Sequence, residues 1–406
     1  MKPGAYILYL GPYTDDRVEA ERGISANPAA SNRMRRLAGA MSLAGFNTVI
    51  LSPGSGMRLR QTGGRERIHR AHGHFGKIAV LYSAFVCVPV LGYVLGFFST
   101  ALAVWGVCRK RKVACFAAYN YYPGQMLAMI IARFFLRLPM VLELEELAIP
   151  TLSHWRRDSE IRPVQRLVFW ACMKMAIGLS PTVIVTTRRF LPALESANRT
   201  TVISGCMATE PGPEHALKHA KPLRVLYCGQ IEFGHGASVL AEAILALDKN
   251  PEQAGRFEFH IAGRGSKEPW LRKQLEQLSH AHVYFHGFLS DASYRELLTS
   301  ADIGLALQSP ANVEASHNVP SKAYEFMGTG KATILTDVGD FDCLPNSVCV
   351  MLETYTGECL ARTLERLSAE EFHWLGMNAR EFARENWSLE KAAQKIGHLL
   401  NTKQQR

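Results

Sequence analysis

Several features are missing from this chain, and each absence removes a class of function. The nine cysteines form no Cys-x-x-Cys pair and no metal-ligand spacing, so they read as reduced core or surface residues rather than a zinc module or a disulfide scaffold. No basic region followed by a long apolar run opens the chain. MKPGAYILYLGPY instead reads as a first strand and its loop, and the expected location is cytoplasmic. No G-x-G-x-x-G fingerprint follows that strand between residues 11 and 24, which argues against a dinucleotide enzyme. The basic residues do not interleave with aromatics along a stripe, so nucleic acid is not an expected partner. Acidic residues are in deficit, 36 against 46 Lys plus Arg, for a net charge of +10. Such a surplus favours an anionic partner, whether acidic lipid or a phosphate-bearing substrate.

What remains is a globular α/β pattern. A chain of 406 residues suits two cores of about 200 residues each. Tyr6 to Leu10 is a short apolar strand. Residues 31–44 form a helix with Leu37 and Met41 on its apolar side, Gly45 ends it, and Thr48 to Leu51 is the next strand. That βαβ unit opens a parallel sheet. Further strands are expected at Val113 to Ala118, Met140 to Leu144 and Thr182 to Thr187, with helices at 124–136 and 161–176. Residues 207–221 have no apolar period and read as a linker. The alternation then restarts at Leu223. The reading is thus an N-terminal Rossmann-like domain over 1–206, a second over 222–385, and a C-terminal helix over 386–406 crossing back to the first. Two doubly wound sheets in tandem imply a cleft, with ligands at the carboxyl ends of the strands.

Between Ile78 and Val107 the chain carries no charge, and Arg109, Lys110, Arg111 and Lys112 follow. The run is long enough to span a bilayer, but Pro89, Gly92 and Gly96 interrupt it. A transmembrane span, a monotopic helical pair and a buried helix all remain open. If the segment meets a membrane, the basic cluster should face anionic headgroups.

The most informative string is VPSKAYEFMGTGKATILTD, residues 319–337. Pro320 and Ser321 can start a helix, whose free N–H groups favour phosphate. Glu325 then lies about one turn inside, able to accept from a ribose hydroxyl pair. Gly328 and Gly330 permit close approach and a sharp exit. The alternative is a helix merely packed on a sheet with Glu325 on a solvated face.

Residues 320–331 resemble the P-S-K-x-x-E-[YF]-M-x-x-G-K segment of the GT-B glycosyltransferases, specifically the large retaining family numbered four, of the exopolysaccharide and lipid-linked glycan type. Ala332 stands where that family usually has proline, and His317 where it has a second acidic residue. The resemblance implies a GT-B fold and a nucleotide-sugar donor. Glu325 would bind the donor ribose, with Ser321 and Lys322 beside the donor. VLYCGQIEFGHGASVLAEAI, residues 225–244, resembles the family's glycine loop. Gly229 and Gly236 fit it, but Gln230 and His235 replace the usual Arg and Lys. A departing nucleoside diphosphate develops charge that cations stabilise. A neutral glutamine and a partly protonated histidine do this less well, so Lys322, Arg264 or Arg33 would have to compensate. FHIAGRG, residues 259–265, is similar to a strand and loop near the base.

In the first half VLELEE ends a strand where relatives carry acidic residues. Glu145 and Glu146 are therefore the candidate catalytic carboxylates beside Glu325, with Glu143 structural. Gly23, Asn32, Arg33 and Asn120 are candidates for acceptor contact, and Tyr119 lies beside the last. No metal or cofactor is implied, and the expectation is that no Asp-x-Asp donor motif of the kind used by metal-dependent sugar transferases is present. The expected partners are a nucleotide-sugar, a glycan or polyprenyl-linked acceptor, and an anionic membrane surface at the inner face of the cytoplasmic membrane. The reading is a retaining glycosyltransferase of polysaccharide biosynthesis; the alternative is an inactive GT-B protein acting as a binding or scaffold subunit.

Overall fold

The computed structural model describes residues 4–22, 28–54, 67–86, 91–147, 163–194, 197, 199–205, 222–311 and 320–401. The expected linker at 207–221, together with Gly23 and His317, lies outside these residues. The chain divides into two compact units, Met1–Cys206 with Leu389–Arg406, and Met207–Ser388.

The first unit is built on an eight-stranded sheet. Its strands are β1 (Tyr6–Leu10), β2 (Asn47–Ser52), β4 (Ala71–Phe75), β5 (Ile78–Tyr82), β7 (Val113–Tyr119), β8 (Met140–Leu144), β9 (Thr182–Val185) and β10 (Arg199–Val202). A short antiparallel pair, β3 (Arg67–Ile68) and β6 (Phe85–Val86), stands apart. The order is β10-β9-β8-β7-β1-β2-β5-β4, parallel except at the edge strand β4. Central strands such as β1 and β8 are buried on both sides, which is why they read as continuous apolar runs. Chain order reverses between β1 and β7, so the switch point of the unit lies at their carboxyl ends. Gly11 follows β1 there. A Cβ on it would stand 2.6 Å from the Met34 sulfur and 2.8 Å from Tyr119 Cβ, so only glycine permits the approach.

The helices of this unit are α1 (Asp16–Arg22), α2 (Pro28–Leu43), α3 (Leu91–Lys110), α4 (Met126–Ile130) and α5 (Pro163–Leu179). Helix α2 ends in a Schellman motif. Gly45, at φ 89, donates to Ser42 O, and Phe46 donates to Met41 O, so the last carbonyls are satisfied. One face of the sheet packs on α2 and on the C-terminal helix, through Met34, Leu37, Ile396 and Leu399. The other packs on α3, α4 and α5, through Val104, Met129, Met173 and Ile177.

The uncharged run is therefore not a helical pair. Its start, Ile78–Tyr82, is a strand paired with β2, and its end belongs to α3. Among the described residues no helix is long and apolar enough to cross a membrane.

The second unit holds β11 (Leu223–Gln230), β12 (Phe257–Arg264), β13 (His282–Gly287), β14 (Ile303–Ala306), β15 (Ala332–Leu335) and β16 (Val350–Met351). The order is β13-β12-β11-β14-β15-β16, all parallel. That is the dinucleotide-fold order 3-2-1-4-5-6, whose switch point falls between β11 and β14. The helices are α6 (Ala237–Asp248), α7 (Pro251–Ala254), α8 (Glu268–Gln274), α9 (Asp291–Ser300), α10 (Ser321–Gly328), α11 (Gly357–Arg366) and α12 (Ala369–Trp387). Ser388 follows α12, and α13 (Leu389–Asn401) then returns the chain to the first unit.

Candidate active site

In the second unit the glycine loop sits on the switch point. Strands β11 and β12 run in register to Gly229 beside Gly263 and Gln230 beside Arg264. Gly263 has φ 134, and a Cβ there would strike the Gly229 carbonyl oxygen. Gly236, at φ 97, opens α6, and a Cβ on it would strike Leu307, just past the end of β14. Tyr227 buttresses the loop from below: its hydroxyl donates to Gln230 O at 2.7 Å and to His235 O at 2.9 Å. Ser309 N donates to Gly234 O at 2.9 Å.

The loop carries no cation. Gln230 is exposed. His235 is partly buried, and that burial lowers its pKa, opposed by Glu232. Burial thus favours the neutral imidazole over the imidazolium. Its buried Nδ1 has no hydrogen-bond partner among the described residues. Arg264 stacks on the exposed ring of Phe288, 4.6 Å from its centroid.

Helix α10 follows Pro320, with Ser321 exposed in its first turn and no side-chain cap. The expected serine cap is therefore absent among the described residues, and the N–H dipoles of the first turn favour an anion. Glu325 is buried at 8% exposure, not on a solvated face. Its Oε2 accepts from Tyr294 Oη at 2.7 Å and from Lys322 Nζ at 2.9 Å, and the Lys322 ammonium lies 3.9 Å over the Tyr294 ring. A carboxylate fixed by a phenol and an ammonium is held in one rotamer, a preorganised acceptor with a cation one turn away. Nothing in the sequence singled out Tyr294. The hydroxyl on α9 becomes informative only once α9 and α10 share the core that holds Leu226, Leu298 and Phe326.

Two acidic groups are held at the switch point of the first unit. Glu143, at 1% exposure, accepts from Tyr9 Oη and from Arg33 Nε at 2.7 Å, while Arg33 Nη2 donates to Ile203 O at 2.8 Å. Arg33 is thereby committed to a buried ion pair and is not the spare cation expected of it. Burial and the Glu143 charge together push the Tyr9 phenol well up. Two residues later, just past the end of β8, Glu145 is hydrogen bonded by Tyr119 Oη, and its backbone N donates to Asn120 Oδ1 at 2.7 Å. Asn120 is left-handed, φ 54, a conformation its short amide tolerates. Burial raises the Glu145 carboxyl to about 7, with Arg33 opposing and Glu146 adding. Such a group exchanges a proton near neutrality, as an acid–base residue must. Glu146 is exposed, and Asn32 is partly buried in α2.

A second arginine was not anticipated. Arg22, at 7% exposure, donates to Gly54 O and Ser83 O, each at 3.2 Å, and to His69 O at 2.9 Å. It precedes Gly23 and ties three loops together. The expectation that the chain has no Asp-x-Asp string is corrected: Asp340-Phe341-Asp342 is one, in the short turn after β15. No group of three metal-ligating side chains occurs among the described residues.

The family model "Glycosyl transferases group 1" matches residues 222–370, the stretch that carries the glycine loop and α10. The chain is a glycosyltransferase of the GT-B fold. Sucrose-phosphate synthase from Thermosynechococcus elongatus superposes with a TM-score of 0.68 at 14% identity, over 98% of each chain. The catalytic domain of starch synthase IV from Arabidopsis thaliana, bound to ADP and acarbose, gives 0.64 at 11% identity, again over 98% of each chain. WaaG, a glycosyltransferase involved in lipopolysaccharide biosynthesis, gives 0.61 at 12% identity over 98% of this chain and 99% of that one. Identities this low carry the fold alone. No curated protein matches this glycosyltransferase in sequence.

Proposed function

We propose that this enzyme is a retaining transferase that moves a sugar from a nucleotide-sugar to a glycan or polyprenyl-linked acceptor at an anionic membrane surface, in polysaccharide assembly. The observation that carries the reading is the buried Glu325, clamped by Tyr294 and Lys322 in the first turns of α10, in a unit whose glycine loop crowns the switch point. In this reading Glu325 accepts from the donor ribose. The open first turn of α10, with Lys322 and Arg264, meets the charge that develops on the departing diphosphate. His235, whose burial disfavours the imidazolium, contributes a hydrogen bond rather than a fixed charge. Glu145, half-ionised near neutrality, faces the acceptor hydroxyl; Glu146 and Asn120 lie beside it.

The test is ligand-observed NMR with a panel of UDP-, GDP- and ADP-sugars. Wild type is expected to bind the sugars of one base, and Glu325→Ala to lose that binding by about tenfold to a hundredfold, the worth of one or two charge-assisted hydrogen bonds. Binding that survives unchanged in the variant removes Glu325 from the donor site. A second reading, a GT-B subunit that binds but does not turn over, draws on the uncharged loop at Gln230 and His235. Donor binding with no release of nucleoside diphosphate, in the presence of lipid-linked acceptors, would favour it.

A further inference from the structure

We propose that the outer surface of α3, α4 and α5 is the face by which the first unit docks on an anionic lipid bilayer. The proposal rests on the reading of a transferase that works at a membrane, and it names the residues that make the contact.

Helix α3 is apolar all round. Its inner stripe, with Ala101 and Val104, is in the core. Its outer stripe runs Leu95, Phe98, Leu102 and is exposed, Leu102 at 63%. A helix of that kind is covered on both sides in its working state, and no part of the described chain covers this one. Helix α4 continues as a π-helical turn, Ile131–Phe135. The wider turn sets Phe134 and Phe135 outward, and Phe135 is 71% exposed. On α5, Leu167 and Met175 are exposed on the side away from Met173 and Ile177. All three helices pack on one sheet face, so their outer sides form one surface. Of the sixteen large exposed hydrophobics among the described residues, nine lie on these helices and the π turn. Among the described residues the opposite helical layer, α2 and α13, has only Leu43. A continuous apolar patch on this scale marks an interaction site.

Charge selects the occupant. No Asp or Glu occurs from Arg67 to Leu142 or from Ile161 to Leu194. Bordering the apolar residues are Arg109, Lys110, Arg133, Arg137 and Lys174, all exposed. The Arg109 guanidinium lies 5.3 Å from the centroid of the Trp105 ring, an aromatic–basic pair of the kind found at headgroup depth. Apolar anchors inside a rim that is basic among the described residues match acidic headgroups over acyl chains. A protein partner would be met by charges of both signs, and among the described residues these helices and the π turn supply no acidic one.

Vesicle flotation of the full chain tests this. Wild type is expected to float with phosphatidylcholine vesicles containing phosphatidylglycerol and not with phosphatidylcholine alone, and added salt should release it. Phe134→Ser with Phe135→Ser should lower partitioning about tenfold or more; Arg109→Glu with Lys110→Glu should do the same. Both variants should retain the wild-type melting profile and wild-type nucleotide-sugar binding by NMR. Absence of flotation by wild type overturns the proposal, as does flotation that neither pair of substitutions weakens. A dimer in sedimentation that the Phe134/Phe135 variant dissolves, without flotation of wild type, gives the face to a second copy instead. A chain that floats but binds no nucleotide-sugar removes the donor reading and leaves the docking face standing.

Discussion

Glu145 is the residue whose chemistry the sequence could suggest but not tune. Its carboxyl moves from the ordinary value of 4.5 to about 7 because burial penalises its charged form. Between those values the folded chain retains a proton that the unfolded chain has released. The stability this group contributes is therefore complete below about pH 4.5 and is lost as pH rises through about 7. Glu145→Gln is permanently neutral. Its urea midpoint should gain on wild type as pH rises from about 5 to about 8, by an amount worth about 1–3 kcal/mol. If the difference between the two proteins stays constant across that window, Glu145 titrates normally. At the glycine loop, Gln230 is exposed, so Gln230→Arg adds a cation without burying one. Calorimetry should show nucleoside diphosphate binding about five- to tenfold tighter, the worth of one charged hydrogen bond in a partly solvated site. No change would mean that the diphosphate is not held beside β11. Arg33 shows the limit of reading residues singly: a basic residue near a helix start looks available until Glu143, far away in sequence, is found 2.7 Å from it.

Elements were legible where periodicity and punctuation agreed. The β/α alternation, the stop of α2 at Gly45 and the helix start near Pro320 follow from apolar spacing, glycine and proline. The region from Ile78 onward was not legible, because an uncharged run fits a strand, a core helix or a membrane helix equally well by hydropathy. Pairing decides it: Val80 lies opposite Ile50, and no property of Val80 alone reveals that. Glycines divide the same way. Gly263→Ala would drive a methyl into the Gly229 carbonyl and separate β11 from β12 at the glycine loop. It should cost about 3 kcal/mol or more in urea unfolding, the scale of a backbone clash in a packed site. Gly96→Ala, on α3 with nothing within 4 Å of the new methyl, should instead stabilise by about 0.5–1 kcal/mol. Equal effects from the two substitutions would contradict the close approach of the paired strand ends.

At the scale of the whole molecule, two doubly wound sheets were readable from two rounds of alternation, and the GT-B architecture follows from them. The last helix was expected to cross back to the first domain, although an amphipathic pattern does not itself state which core a helix completes; the packing supplies that. Ile396 and Leu399 of α13 are buried with Met34 and Leu37 of α2, and Arg199 donates to Leu399 O at 3.1 Å. Removing the chain from Leu389 onward strips that face of the first unit, at about 1.5–3 kcal/mol for each large side chain lost. The truncated protein should melt in two steps, the first unit earlier than in the intact chain; coincident melting at the wild-type temperature would show α13 to be dispensable.

The central claim, that the second unit holds a nucleotide-sugar at its switch point, is tested most directly by amide hydrogen exchange with and without the donor that binds. Protection concentrated in the Gly229–Gly236 loop and in the first turn of α10, and abolished by Glu325→Ala, is the predicted result. Protection confined to other segments, or none at saturating donor, would contradict the account.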